Sequence, residues 1–213
     1  MLNNKNTIIF DFDGTLADTM HVFADVASDL IFKNYGLPKD EARKKYFETS
    51  GLPFCQQLEI IFPGSELNAI VAPVYEEQKL IATEDVVMDK ETKNALVMLK
   101  ESGYDLAISS NNFQQNIDNF IINNKLRKLF AAALGFKENF GKGEKHFDYI
   151  MHKLGVEKRG MVFVGDSLND GRLAESNGID FIAKLGTFAK KDFLKINKNI
   201  NFVSNISDLI YGR

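Results

Sequence analysis

Short apolar runs alternate along the chain with longer segments in which apolar residues recur at helical spacing. The first run, Thr7–Phe10, stops at acidic and glycine residues, which predicts a buried strand ending at Asp11. Similar runs predict further strands at 106–108, 161–164 and 180–183, with a weaker one near 131–134. Because buried strands that alternate with amphipathic helices form parallel sheets with helices on both faces, the chain is predicted to be an α/β protein with a doubly wound parallel sheet.

The predicted helices fall into two groups. Those between strands have clear ends: Asp89 is placed to cap a helix that Gly103 terminates, while Gly155 and Gly178 end two others. From about 37 to 83 the pattern is mostly helical without strand alternation, and all four prolines of the chain lie there. This stretch is predicted to be a separate helical insert.

Composition and charge narrow the range of partners. Apolar residues make up 45% of the 213 residues, which is enough to bury a core, and the 18 phenylalanines are expected mainly there. The net charge of −3 argues against nucleic acid as the main partner, because neutralising backbone phosphates requires a concentrated basic surface. The single cysteine, Cys55, cannot form a disulfide within one chain, and no run approaches the roughly 18 apolar residues of a membrane span. We therefore expect a cytoplasmic protein with neither a nucleic-acid nor a membrane partner.

Two pairs of carboxylates follow predicted strands. Asp11 and Asp13 come directly after the first strand, and Asp166 and Asp170 follow the strand that ends at Val164. Ligand sites of parallel sheets lie beyond the carboxyl ends of the strands, so both pairs are expected at one edge. Acids so close together repel each other unless a hard cation binds between them. A site with few oxygen ligands and open positions suits Mg²⁺, which also takes substrate phosphate oxygens.

Groups that suit a phosphate are expected at the same edge. Ser110 and Asn111 follow the strand at 106–108, where a hydroxyl and backbone amides can bind phosphoryl oxygens. Lys142 lies between two glycines just before a helix, whose N-terminus favours an anion. These residues predict phosphate binding beside the acids.

The sequence Asp-Phe-Asp-Gly-Thr-Leu-Ala-Asp-Thr at 11–19 resembles the signature of the haloacid dehalogenase superfamily. Further segments follow in that family's order: the apolar run ending in Ser110, the lysine at 142, and Val-Gly-Asp-Ser-Leu-Asn-Asp at 164–170. The resemblance spans the whole chain and is to the phosphoglycolate phosphatase-like branch. It implies a Rossmann-like core domain and an inserted α-helical cap domain, with the core at 1–16 and 88–213 and the cap at 17–87.

The resemblance also implies a role for each site residue. Asp11 attacks phosphorus and forms an aspartyl-phosphate, while Asp13 protonates the leaving oxygen and then activates the hydrolytic water. Ser110 and Lys142 hold the phosphoryl group. Magnesium is held by Asp11, the backbone carbonyl of Asp13 and Asp166, with Asp170 acting through the metal's waters. The predicted function is a magnesium-dependent phosphatase that acts on a small phosphorylated metabolite.

Two other functions stay open at this level, a sugar-phosphate mutase of the same family and a catalytically inactive phosphate- or metal-binding module. Every expected catalytic position is occupied, which disfavours the inactive module. Gly165-Asp166-Ser167 differs from the Glu-Asp-Ser typical of the family's sugar-phosphate mutases. Asp13 disfavours a dehalogenase, because the family's dehalogenases do not need that acid-base.

The register of two motifs is open. The family usually carries threonine where this chain has Ser110, and the neighbouring Ser109 is a second candidate. Related phosphatases often have Lys-Pro at the third motif, whereas this chain has Lys142 followed by Lys145. Lys142 is preferred on its spacing to the end of the following helix.

Two features outside the motifs carry expectations of their own. His146 and His152 flank a helix without metal-ligand spacing, so both are expected at the surface. The loop at 51–54, in the helical insert, is a candidate for contacting the substrate.

Overall fold

The chain folds into two compact units, as seen in a computed structural model that describes residues 1–83 and 86–211. One unit consists of Met1–Ala17 with Val87–Arg213, and the other is Asp18–Val86. The first contains a six-stranded sheet and its flanking helices, and the second contains helices. Among the described residues, no helix combines the length and the apolar character needed to cross a bilayer.

The helical unit is held by side chains from all its helices, which are α1 (Met20–Tyr35), α2 (Lys39–Glu48), α3 (Phe54–Ile61) and α4 (Leu67–Ala82). Its core contains Phe23, Leu58 and Tyr75. The buried hydroxyls of Tyr46 and Tyr75 lie 2.9 Å apart and hydrogen-bond each other. Helix α1 ends at Gly36, whose φ of 74° is the left-handed conformation that glycine adopts without strain.

The sheet is parallel throughout, with the strand order β3-β2-β1-β4-β5-β6. Its strands are β1 (Thr7–Phe10), β2 (Asp105–Phe113), β3 (Phe130–Phe136), β4 (Met161–Gly165), β5 (Asp180–Lys184) and β6 (Asn201–Val203). Strands β1 and β4 are buried along their whole lengths. The chain reverses its winding direction between these two strands, where ligands bind in sheets of this order. The predicted fold class, a parallel α/β sheet flanked by helices, is confirmed.

The helices of the sheet unit begin and end largely where the sequence signals place them. They are α5 (Lys90–Glu101), α6 (Gln114–Asn123), α7 (Glu144–Leu154), α8 (Leu168–Asn177), α9 (Lys190–Phe193) and α10 (Asp208–Tyr211). The Asp89 carboxylate accepts a hydrogen bond of 2.8 Å from the Thr92 amide and caps α5. Gly155 and Gly178 end α7 and α8 in the left-handed conformation.

Two expectations about local structure are wrong. Strand β2 does not stop near Ile108 but continues to Phe113, and its register with β3 is irregular beyond Ser109. His146 is buried rather than at the surface, because it shares the inward face of α7 with Ile150, one turn later. His152, on the same helix, is exposed as expected.

Candidate active site

Three buried carboxylates meet at the carboxyl edge of the sheet. Asp11 directly follows β1, Asp166 directly follows β4, and Asp170 lies in the first turn of α8. One carboxylate oxygen from each lies within 4.8 Å of the other two. The structure thus brings together three of the four acids that the sequence singles out.

Backbone geometry holds this cluster in place. The Asp11 amide donates a hydrogen bond of 2.8 Å to the Val164 carbonyl, which ties the end of β1 to that of β4. Ser167 and Asp170 form a reciprocal cap at the start of α8: the Ser167 amide donates to Asp170 Oδ2 at 3.0 Å, and the Asp170 amide donates to Ser167 Oγ at 3.1 Å. A Cβ at Gly165 would lie 2.7 Å from the Asp170 side chain, so only glycine permits this close approach.

The amine of Lys142 reaches into the acid cluster. Its Nζ donates to Asp11 Oδ1 at 3.1 Å and to Asp170 Oδ1 at 2.7 Å, and its side chain is almost completely buried. The amine of Lys145 is exposed and donates to the Asn139 carbonyl at 2.6 Å. The geometry therefore favours Lys142 over Lys145 as the lysine of the site.

Two threonine hydroxyls from loops and the amine of Lys184, at the end of β5, contact Asp166 and the turn after β1. Thr15 Oγ1 lies 3.4 Å from Asp166 Oδ1, and the Thr187 hydroxyl donates to Asp166 Oδ2. The Lys184 amine donates to the Gly14 carbonyl at 3.0 Å. Thr187 and Lys184 were not candidates from the sequence, because a lone threonine or lysine at the end of β5 carries no spacing signal.

Asp13 lies outside the acid cluster and is partly buried. Its carboxylate accepts hydrogen bonds from Asn112 Nδ2, 3.0 Å from Oδ2 and 3.3 Å from Oδ1. Asn112 was also missed from the sequence, since β2 was expected to end before it. An alternation signal was nonetheless present, because residues two apart on a strand share a face and Ser110 was already a candidate.

The partners of the two serine side chains favour Ser110 over Ser109 as the serine of the site. The backbone amide of Asn112 donates to Ser110 Oγ at 2.9 Å, on the side of β2 that carries Asn112. Ser109 instead lies 3.0 Å from Nδ1 of the buried His146. Asn111 Oδ1 accepts a hydrogen bond of 3.2 Å from the Lys142 amide, which links the end of β2 to the loop carrying Lys142.

Burial and mutual repulsion govern the protonation of the cluster. Burial, followed by the negative charge of Asp170, raises the pKa of Asp11 well above its usual value, and Lys142 only partly offsets this. Burial and Asp170 likewise raise the pKa of Asp166 to about 7. Burial alone would lower the pKa of Lys142, but the charges of Asp11 and Asp170 outweigh it and raise that pKa. The amine of Lys142 therefore stays charged, while the carboxyl groups of Asp11 and Asp166 bind protons more readily than free aspartates.

The donor set fits a hard divalent cation. Two carboxylates at strand ends and one in the first turn of α8 supply oxygen ligands. Burial and the neighbouring carboxylates raise the pKa values of Asp11 and Asp166, so the cluster carries negative charge that one lysine only partly compensates. There is no nitrogen or sulfur ligand in this group of acids, which suits Mg²⁺ rather than a softer metal.

Solved structures from several bacteria share this fold along nearly the whole chain. A haloacid dehalogenase-like hydrolase from Streptococcus pneumoniae is 18% identical, with 99% of each chain covered and a TM-score of 0.82. A protein named as a predicted phosphoglycolate phosphatase from Haemophilus somnus is 18% identical, with 99% of each chain covered and a TM-score of 0.76. A CbbY variant from Rhodobacter sphaeroides, in complex with xylulose-1,5-bisphosphate, is 16% identical over 96% of each chain, with a TM-score of 0.75.

Sequence comparison adds the family. No curated protein sequence matches the chain. The model of the haloacid dehalogenase-like hydrolase family, however, matches residues 8–184, which include both strand-end acid pairs and Lys142. The resemblance seen in the motifs is thus confirmed, and the chain belongs to the haloacid dehalogenase-like hydrolases.

Proposed function

We propose that this protein is a magnesium-dependent phosphatase that hydrolyses a small phosphorylated metabolite through an aspartyl-phosphate on Asp11. The observation that carries the proposal is the convergence of Asp11, Asp166 and Asp170 within 4.8 Å, with the Lys142 amine bonded to two of them. Family membership and the phosphatase names among the structural neighbours support it.

The reaction divides into two balanced halves. In the first, an Asp11 oxygen attacks phosphorus and the bond from phosphorus to the leaving oxygen breaks. The leaving oxygen keeps the electron pair of that bond and takes a proton from Asp13. In the second, Asp13 removes a proton from water as the water oxygen attacks phosphorus, and the bond to Asp11 breaks to restore its carboxylate. Asp13 suits this exchange because its carboxylate lies outside the acid cluster.

The remaining groups bind and orient the phosphoryl group. Lys142 is charged and lies beside the attacking carboxylate, and Ser110 and Asn111 lie near the end of the neighbouring strand. These groups would hold phosphoryl oxygens against the repulsion of the acids. Asp11 and Asp166 would hold Mg²⁺ together with the Asp13 backbone carbonyl, and Asp170 would act through the waters of the ion. When bound, the ion supplies the positive charge that screens the carboxylates from one another and from the phosphoryl dianion.

A helical cap at 17–87 and a small-metabolite substrate belong to the same proposal. The CbbY neighbour was solved with a sugar bisphosphate, which makes small sugar phosphates a first set of substrates to test. The chemistry at Asp11 does not depend on which of them is bound, because only the phosphoryl group reacts.

The experiment must separate hydrolysis from phosphoryl transfer within a sugar. Both would pass through an aspartyl-phosphate, but water accepts the phosphoryl group in one case and a sugar hydroxyl in the other. The enzyme is incubated with Mg²⁺ and either phosphoglycolate, xylulose-1,5-bisphosphate or a hexose 1-phosphate, while free phosphate and hexose 6-phosphate are followed separately. We expect stoichiometric free phosphate from at least one substrate. Conversion of hexose 1-phosphate to 6-phosphate with little free phosphate would establish a mutase instead.

A further inference from the structure

The carboxylate of Asp13 is held by an amide that the two-step reaction does not itself require. Asn112 Nδ2 lies 3.0 Å from one Asp13 oxygen and 3.3 Å from the other. Asn112 is only 4% exposed, although it lies beyond the end that the sequence predicts for strand β2. A buried amide that donates hydrogen bonds to a carboxylate makes a directional contact, and this contact restricts the orientation of the carboxyl group.

A second asparagine fixes which way the Asn112 amide faces. Asn116 Nδ2, in the first turn of α6, donates to Asn112 Oδ1 at 2.6 Å. An ionised carboxylate only accepts hydrogen bonds, so the Asn112 nitrogen is the atom that faces Asp13, and the Asn112 oxygen accepts from Asn116. The Asn112 backbone amide also donates to Ser110 Oγ, which ties the same residue to the phosphate-binding strand end.

We propose that Asn112, oriented by Asn116, is a positioning residue that holds the Asp13 carboxyl group in line with the leaving oxygen. This inference rests on the proposed phosphatase function and on the acid-base role of Asp13. An amide donor suits both halves of the reaction, since it can donate to a carboxylate and to the carbonyl oxygen of a carboxylic acid alike. It therefore keeps the orientation of Asp13 while the proton leaves and returns.

A contact that positions the acid-base has a kinetic consequence that a merely structural contact lacks. When the bond from phosphorus to the leaving oxygen breaks, a stable phenolate can depart with its electron pair alone. A more basic leaving oxygen needs the proton from Asp13 during bond breaking. Misplacing Asp13 should therefore slow esters of basic alcohols and phenols far more than esters of acidic phenols.

The test compares kcat/KM for para-nitrophenyl phosphate and phenyl phosphate in the presence of Mg²⁺, because this ratio reports the first half-reaction of each ester. Asn112→Ala should lower kcat/KM for phenyl phosphate about 10- to 100-fold, with little change for the para-nitrophenyl ester. Asn116→Ala, at a partly exposed position, should produce a smaller loss with the same selectivity. It also keeps the test decisive if Asn112→Ala does not fold.

Asn124→Ala is the matched control, because Asn124 is another buried asparagine with an amide hydrogen-bonded on both sides. Its Nδ2 donates to the Phe120 carbonyl at 3.0 Å, and its Oδ1 accepts from the Met88 amide at 2.8 Å. That variant should lose thermal stability but keep the wild-type ratio between the two esters. Equal losses for both esters in the Asn112 and Asn116 variants, or no loss in either, would overturn the positioning role. Failure of the wild-type enzyme to hydrolyse both esters would instead count against the phosphatase itself.

Discussion

At the residue scale, the negative charge of Asp11 serves the proposed reaction but lowers the stability of the folded protein. The Asp11 carboxylate is buried beside Asp166 and Asp170, and the Lys142 amine forms ion pairs with Asp11 and Asp170. Burial and the neighbouring charges raise its pKa, so the folded protein without metal holds a proton on Asp11 more tightly than the unfolded chain does. Ionised Asp11 therefore destabilises the metal-free fold, and the same negative potential draws a cation to the site.

Replacing this charge should separate activity from stability. Asp11→Asn should abolish turnover of para-nitrophenyl phosphate, because the amide lacks the attacking oxygen and the ligand charge. In EDTA at pH 8 the same variant should be more stable than wild type by about 1 kcal/mol, or about 2–4 °C in Tm. The pKa of Asp11 is higher in the folded state than in the unfolded state. Its contribution to the free energy of unfolding therefore falls as the pH rises from the unfolded pKa through the folded pKa. In thermal melts at a series of pH values, the stability gain of Asp11→Asn over wild type should shrink as the pH is lowered towards the unfolded pKa of Asp11.

Asp118→Asn is the control for this change, because Asp118 is an exposed aspartate on α6 in the same unit. It should alter neither Tm nor turnover. A metal-free Asp11→Asn protein less stable than wild type at pH 8 would mean that the ion pair between Asp11 and Lys142 outweighs the cost of burying the charge.

The sequence alone could locate residues whose burial is energetically unfavourable unless they bind a cation or take part in a reaction. Acids directly after buried strands need a cation or a function, so the pattern of apolar runs and acids was enough to make Asp11 and Asp166 candidates and to place both at one edge of the sheet. Asn112 and Thr187 were not identifiable in this way, because neutral amides and hydroxyls are at home in most loops and their partners are far away in the chain. His146 was misplaced for a related reason, since an imidazole on a helix is compatible with either face until its partner, Ser109, is known.

At the element scale, helix α8 is the part of the fold that delivers Asp170 to the site. It starts two residues after Asp166, and Ser167 caps it through reciprocal bonds with Asp170. Ser167 Oγ also donates to Asp170 Oδ2 at 2.6 Å, so the cap uses one carboxylate oxygen and leaves Oδ1 to face Lys142. The start of this helix is thus both a structural cap and a support for one acid of the proposed metal site.

Removing the cap should therefore have two effects. Ser167→Ala should cost about 1 kcal/mol of stability, the usual value for a lost N-cap. It should also weaken Mg²⁺ binding, because Asp170 Oδ2 loses the hydrogen bond from Ser167 Oγ and keeps the one from the backbone amide. Asp89→Ala removes the side-chain cap of α5 and is the matched control, expected to cost similar stability with unchanged Mg²⁺ affinity. Chemical denaturation and calorimetric titration with Mg²⁺ measure the two quantities. Equal Mg²⁺ affinity in both variants would limit Ser167 to a helix cap.

Element boundaries were predictable where a residue has a strong local preference. Asp89, Gly155 and Gly178 mark helix ends by their own chemistry and were placed correctly. The end of β2 was missed because polar residues at 109–112 are typical of a loop. In the structure, Ser109 and Phe113 pair with β3, and side-chain hydrogen bonds of Ser109 and Ser110 satisfy polar groups within the strand. Such long-range pairing overrides a local polar signal.

At the scale of the whole molecule, the sheet order explains why distant segments form one site. Strands β1 and β4 are neighbours, although their sequences are about 150 residues apart, and their carboxyl ends carry Asp11 and Asp166. The winding direction reverses between them, and this is the position at which ligands bind in sheets of this order. A net charge of −3 is small, so the acidity of the site is a local property that the sheet topology creates.

Metal binding should consequently be visible as stabilisation of the whole fold. A ligand that binds only the folded state at 100 times its Kd adds about 2.7 kcal/mol, so Mg²⁺ should raise Tm clearly in wild type and much less in Asp166→Asn. Ca²⁺ should also raise Tm, but it should support little turnover, because its looser and larger coordination misplaces Asp11 relative to phosphorus. Thermal melts and phosphate release are measured on the same samples after EDTA treatment, with each metal added back. Full turnover in EDTA, or equal stabilisation of wild type and Asp166→Asn by Mg²⁺, would mean that these acids serve a purpose other than holding the metal.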